Sequence, residues 1–418
     1  MASSEEEVDP QTPLSGTRVV DFTQAVYGAG AAQILGDLGA DVVKIEPPWG
    51  EFMRWGQSRH RPGEHGERLS DDVPEAATWL AMNRNKRSLA IDLHDERGLE
   101  IVRRLIAQAD IVIHNYRADV MDRMNLGYED VKAINKKIVY VEMSAFGSNG
   151  PMRRWAGGDM WAQAIGGSVS VQGEPDSPPC MVSVPLGDQS GALIGALSAV
   201  AALTNRSRTG ESQYVTTSLL DAVLSMQSSQ MADYLIDDRV IGQGGRGWRG
   251  AFPHGAYQAS DGFVAILHGE FDDDWRTLCG LLDLTDLLDD ERFSTSDLRD
   301  ENRKELYPLM DAAFQAHTRG EWQKIFHDAR LRCDPCLTYD EIPVHPQVAE
   351  NGHIGTMDHP TRGTLRFVAQ PFRLNGSRGA IPNPPPKLGQ HSREVLSELG
   401  LDAKEIDALA SDSVVVLN

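Results

Sequence analysis

The sequence predicts an α/β fold: a doubly wound, mostly parallel, Rossmann-like sheet in a large domain, with a smaller α+β domain after it. Three observations carry that reading. Short β-branched runs alternate with helical runs from Thr17 to the segment ESQYVTTSLLDAVLSMQ, the order that places parallel strands side by side with helices on both faces. Near Gly242 the rhythm breaks at the glycine-rich GQGGRGWRG, and a hairpin pattern follows. The 418 residues, 41% of them hydrophobic, suffice for two ordinary domains with a substantial core.

In chain order, TRVVDF reads as a strand, AAQILGDLGA as a helix and DVVKIE as a strand, which together make a βαβ unit. RGLEIVRRLIAQAD (helix), IVIHNY (strand), a short helix near Tyr128 to Ile134 and KIVYVEMSAF (strand) continue it. The longest apolar run, Gly191 to Leu203, is too short to span a bilayer and holds small residues throughout, so it reads as a buried helix. ESQYVTTSLLDAVLSMQ is a strand running into a helix. AYQASDGFVAILHGEF then reads as a hairpin with Asp261-Gly262 at its turn, and DWRTLCGLL and RKELYPLMDAAFQAHT as helices. The expected division is a disordered acidic lead-in over 1–15, a large domain over 16–225, a small domain over 226–340, and a linker with a C-terminal segment returning to the large domain over 341–418. The last of these holds the Pro-rich IPNPPPKLG and a final helix in SREVLSELG.

Charge narrows the partners. With 61 acidic residues against 40 basic ones the net charge is −21, which argues against a nucleic-acid or anionic-membrane surface, since both need a positive footprint. Four cysteines in so long a chain make no disulfide framework and suit a reducing cytoplasm. Cys333 and Cys336 have C-x-x-C spacing, but no second pair completes a zinc site, so no metal is expected. The opening MASSEEEVDPQTP has neither the basic nor the apolar region of a signal peptide. TQAVYGAGAAQ, between the first strand and helix, lacks the G-x-G-x-x-G spacing, which counts against a nicotinamide oxidoreductase.

One carboxylate stands out. VSVPLGDQSGALIGALSAVAAL places Asp188 at the entry to the small-residue helix, where local sequence alone reads it as an N-cap. Asp159, in GGDMWAQAIGG, reads as the start of another helix.

Several segments in order resemble the class III CoA-transferases, the family of formyl-CoA and carnitine CoA-transferases and the α-methylacyl-CoA racemases. They are PLSGTRVVDFTQAVYGAGAAQILGDLGADVVKIEPP, NRNKRSLAIDL, ADIVIHNYRADVMDRMNLGYEDV, SAFGSNGP, GESQYVTTSLLDAVL and PPPKLGQHSREVLSELG, and they span nearly the whole chain. The resemblance implies that Asp188 is a nucleophile that carries coenzyme A between carboxylic acids as an aspartyl anhydride and then an aspartyl-CoA thioester. It points, for CoA binding, to Val26 and Tyr27, to Ile91 and His94, to Asn115 and Tyr116, and to Arg123. Gly242, Gly244, Gly245 and Gly247, with Gly250, would form a lid loop. Where some relatives carry a basic residue after the VVKIE strand, this chain has Pro47, and a lysine aligns with His94. The racemases place a histidine before the aspartate matching Asp159; here that position is Gly158, and a glycine moves no proton, which favours transfer over racemisation. The implied partners are acyl-CoA, succinyl-CoA among the donors, and small carboxylic acids, with no permanently bound cofactor. The implied assembly is an interlocked homodimer, or a heteromer with a related subunit. A racemase or isomerase and a non-catalytic CoA-binding subunit are the alternatives.

Overall fold

The structure is a computed structural model that describes residues 12–55, 75–247, 252–267, 272–378 and 382–418. The chain divides into two compact units. One takes the chain up to Gly166 together with Ser183–Met226 and Glu350–Asn418; the other takes Gly167–Val182 and Gln227–Ala349.

The first unit is built on strands β1 (Arg18–Asp21), β2 (Asp41–Glu46), β3 (Lys86–Ile91), β4 (Ile111–His114), β5 (Val139–Ser144) and β6 (Gln213–Ser218). These pair in parallel in the order 3-2-1-4-5-6, and a two-residue strand at Val415–Val416 closes the β3 edge antiparallel, giving seven strands. The helices are α1 (Ala25–Asp37), α2 (Ala77–Met82), α3 (Glu96–Ala107), α4 (Val120–Arg123), α5 (Tyr128–Ile134), α6 (Asp159–Ile165), α7 (Leu186–Thr209) and α8 (Leu219–Met226), with two C-terminal helices at Ser392–Glu398 and Ala403–Ser411. Two apolar cores separate by face. One holds Val20, Val43, Leu89 and Val112 with α3 and the C-terminal helices; the other holds Val19, Val42, Ile111 and Val141 with α1 and α7.

Local sequence explains the main helices. Asp95 caps α3 by accepting the Arg97 N–H, and Leu99, Val102 and Ile106 fall on one face, with Glu96 and Glu100 outside. α7 buries Gly187, Gly191, Gly195 and Ala199, a row at intervals of four, and this narrow face lets α1 come close. A Cβ on Gly30 would lie 3.0 Å from that of Ala192. The apolar run read as too short for a bilayer is extended at both ends into a 24-residue helix, long and apolar enough by length and composition to cross a membrane. Its small-residue face is buried in the core with α1 and α8. Gly210, left-handed at φ +75°, ends it.

In the second unit, β7 (Gly255–Ala259), β8 (Gly262–Ile266) and β9 (Cys333–Pro335) form an antiparallel sheet. Ala259 pairs with Gly262, so the two turn residues are Ser260 and Asp261, one position earlier than the sequence suggested. Gly262 instead opens the returning strand at φ +148°. Tyr257, Phe314, Trp322 and Phe326 stack into an aromatic core, and Trp322 Nε1 donates to the Phe314 carbonyl at 2.7 Å. Cys333 is buried in that core while Cys336 is exposed.

Candidate active site

Strand order reverses between β1 and β4, and the chain leaves their carboxyl ends in opposite directions, which opens a crevice where ligands of such sheets bind. A cavity of about 730 Å³ lies there, within the first unit. Gln24, at the end of the loop after β1, lines it with Ala25 and Tyr27 of the first turn of α1, and the segment after β4 lines it with Asn115, Tyr116, Arg117 and Arg123. Gly157, Gly158 and Asp188 come from the segments leading into α6 and α7.

Asp188 sits in the first turn of α7 and is not its cap. That role falls to Asp159, the first residue of α6. Its Oδ1 accepts the N–H groups of Gly187 at 2.6 Å and Asp188 at 3.0 Å, and its Oδ2 accepts from Gln163 Nε2 at 2.6 Å. Asp159 starts α6 as its sequence suggested, and it also takes the capping role that local sequence gave to Asp188. A carboxylate is favoured at the amino end of a helix, and taking up two otherwise unpartnered N–H groups pins the turn that carries Asp188. Burial, and secondarily the like charge of Asp159, push the Asp188 carboxyl up to about 6.

A reaction that uses ionised Asp188 is therefore expected to gain rate as pH rises through about 6 and to level off above it. Asp159→Asn removes the neighbouring charge yet keeps one oxygen acceptor for the helix, so the acid limb should move to lower pH. A kcat/KM profile whose limb stays in place would assign it to another group.

Tyr27 is buried with its ring across Gly191, one turn beyond Asp188 on the same face of α7. A Cβ at Gly191 would lie 2.4 Å from Tyr27 Cε2, so the helix accepts this ring only because the position is glycine. The Tyr27 hydroxyl lies beside the Thr217 side chain without a well-formed hydrogen bond. Tyr116 is held neutral, with burial raising its phenol to about 12. Arg153 is paired with Asp119 at 2.8 Å. Among the described residues Arg117 and Arg123 have no carboxylate partner, and both are exposed. On a protein of net charge −21, these two guanidinium groups put positive charge at the cavity.

Of the residues implied for CoA, the cavity brings together Tyr27, Asn115, Tyr116 and Arg123 with Asp188. Val26 stands in the first turn of α1 but does not line it. Ile91 and His94 are not brought there either. The Ile91 side chain is fully buried in the core and its backbone pairs with Val415, while His94 is exposed on a turn where its N–H bonds Asp92 Oδ1 at 2.8 Å. The glycine loop lies in the second unit and is fastened there. Gly244 and Gly245 N–H groups bond the carbonyls of Val171 and Gly173, and Arg303 Nη1 bonds the Gly244 carbonyl at 3.1 Å. Gly245 is left-handed at φ +71°, and a Cβ on Gly247 would lie 2.1 Å from the His254 carbonyl oxygen, so both have local reasons to be glycine. Gly242 is half-buried at the start of this stretch; Trp248 and Gly250 lie outside the described residues.

Two contributors escaped sequence reasoning. Arg117 follows Asn115-Tyr116 directly, and a cation at a strand end of an acidic protein was a usable signal. Asp159 gave none for its capping role, because its partners lie 28 and 29 residues further on.

The family described as CoA-transferase family III matches residues 14–392. Succinyl-CoA:glutarate CoA-transferase of Mus musculus is 31% identical over 97% of this chain and 91% of its own length. Formyl-CoA:oxalate CoA-transferase of Streptomyces avermitilis is 30% identical over 96% of this chain and 99% of its own. A crystal structure of a CAIB/BAIF family protein from Brucella suis superimposes with a TM-score of 0.81, at 31% identity, covering 93% of this chain and all of that one.

Proposed function

Because this chain belongs to CoA-transferase family III, we propose that it moves coenzyme A from succinyl-CoA or a similar short acyl-CoA to a small carboxylic acid through covalent intermediates on Asp188. One observation carries the reading. Asp188 is the sole carboxylate among the described residues lining a cavity that also presents two unpaired arginines.

The chemistry follows from what a lone carboxylate can do. Asp188 Oδ attacks the thioester carbonyl, and the tetrahedral adduct expels the CoA thiolate, leaving an acyl–aspartyl anhydride. The thiolate attacks the aspartyl Cγ and expels the donor acid as its carboxylate, leaving an aspartyl-CoA thioester. The acceptor carboxylate attacks that Cγ, CoA leaves again, and its thiolate takes the acceptor acyl group from the second anhydride, which restores Asp188. No net proton is consumed, so no partner acid or base is required. That agrees with Gly158 standing at the cavity wall where a racemase would hold a histidine. Arg117 and Arg123 supply positive charge for CoA phosphates, the part left unassigned by Pro47 and His94. The relatives named for glutarate and oxalate make a short dicarboxylic acid the acceptor to try first.

Incubation with succinyl-CoA and no acceptor, followed by quenching and peptide mass analysis, is expected to find CoA on the peptide containing Asp188; hydroxylamine should release it as free CoA and leave the hydroxamate on Asp188. Full occupancy of the site by acyl-CoA with no such adduct, together with solvent deuterium entering the α-carbon, would replace transfer by isomerisation.

A further inference from the structure

We infer that Asn115 is a positioning residue: its side-chain amide clamps the backbone of Gln24 and so holds the loop after β1 in shape before ligand arrives. The inference rests on the CoA-transfer reading of the cavity for its kinetic consequence, but not for the clamp. The Asn115 carbonyl accepts the Gln24 N–H at 2.7 Å and its amide donates to the Gln24 carbonyl at 2.8 Å, a closed two-bond ring that engages one N–H and one carbonyl lone pair of the side chain. A residue implied as a CoA contact is thus bonded to the backbone of its own protein.

The loop has something to be held against. Ala25 stands at φ +59°, a left-handed backbone that costs a residue with a Cβ and persists only where the surroundings impose it. Gln24 and Ala25 both line the cavity. Gly28 is pressed from the same side, since a Cβ there would lie 2.8 Å from Asn115 Cγ and 2.6 Å from Thr23 Cβ. Beneath the loop, Lys44 Nζ donates to the Thr23 carbonyl at 2.7 Å, and Asp21 Oδ1 accepts the Thr23 N–H at 2.7 Å. Thr23 and Gln24 are therefore fixed from below and from β4, and the strained Ala25 follows directly. Fixing the cavity wall in advance is how an enzyme avoids ordering it at the moment of reaction.

The test reads the ligand-free protein first. In Asn115→Ala, amides of the 24–28 segment should exchange with deuterium about tenfold faster, with the core strands β4 and β5 unchanged. Transfer kcat should fall about 10- to 100-fold, while KM for succinyl-CoA moves less than about threefold. Ala25→Gly in the same variant should recover part of both losses, because glycine adopts this φ without the clamp. If Asn115→Ala does not fold, Asn115→Asp keeps the acceptor for the Gln24 N–H but turns a carboxylate oxygen toward the Gln24 carbonyl, and should show the same faster exchange of the 24–28 segment. Unchanged exchange in the ligand-free loop, with KM raised and kcat intact, would make Asn115 a ligand contact and overturn the inference. Faster loop exchange in a protein that transfers no CoA even as wild type would keep the clamp and sink the function.

Discussion

Asp188→Asn is expected to lower CoA transfer by roughly four orders of magnitude in a protein that stays folded and still binds acyl-CoA. The amide has the same shape as the acid, and Asp188 makes no side-chain hydrogen bond among the described residues that the exchange would break, so the loss falls on nucleophilicity alone. Stability should move the opposite way. The folded-state carboxyl is raised from 3.8 to about 6 by burial and then by Asp159. Below pH 3.8 the group is protonated in both states and costs nothing. As pH climbs toward 6 the unfolded chain ionises first, and stability is lost up to a penalty of roughly 1–3 kcal/mol that persists above pH 6. Asp188→Asn escapes that penalty, so denaturant titrations should find it more stable than wild type at pH 7.5 and no more stable near pH 4. A freshly prepared variant that kept more than about a tenth of the wild-type rate would remove this carboxylate from the mechanism.

How far the site was legible follows from the range of the forces that build it. The alternation of strands and helices is a local pattern, and the segments read as β1, β2, β4, α5, β5 and β6 stand where their sequences put them, because each buries its own apolar face. α1 starts at Ala25, six residues before AAQILGDLGA, and takes in most of the stretch TQAVYGAGAAQ read as a connection. Asp188 was found through resemblance; its immediate neighbours suggested a cap. The cap proper, Asp159, acts across 28 residues through tertiary packing of α6 on α7, which no periodicity encodes. Asn115 stands at the expected strand end and lines the cavity, but its two bonds to the Gln24 backbone were not legible, since they depend on a loop from another strand. In DVVKIE, Lys44 and Glu46 are both buried, which reading the segment as a strand does not reveal.

Those buried charges set the second large effect. Arg54→Ala is expected to destabilise the protein by about 3–5 kcal/mol, because it strands Glu46 inside the fold. The two side chains are fully buried, and the Arg54 guanidinium bonds both Glu46 oxygens, through Nε at 3.0 Å and Nη2 at 2.6 Å. It also donates to the Pro386 carbonyl at 2.9 Å and lies 3.8 Å over the Trp79 ring. Without it, Glu46 keeps only the Ser88 hydroxyl at 2.8 Å and the Glu51 N–H at 3.3 Å. Burial alone would raise the Glu46 carboxyl, but Arg54 holds it below the usual range, so the pair stabilises above the unfolded carboxyl's pKa and that contribution is lost in acid. Removing Arg54 reverses the shift, and the destabilisation should shrink as pH falls and Glu46 takes up a proton. Arg54→Met with Glu46→Leu should be far milder than the sum of the two single changes, since the fully buried pair is removed together and neither of its charges is left facing a missing partner. Phe52, in the same 3₁₀ turn as Arg54, lines the cavity, so the single variant should also weaken acyl-CoA binding. Urea titrations of the two single variants and the double variant at pH 7.5 and pH 5 decide it: additive losses that do not change with pH would mean that Arg54 contributes packing and not charge.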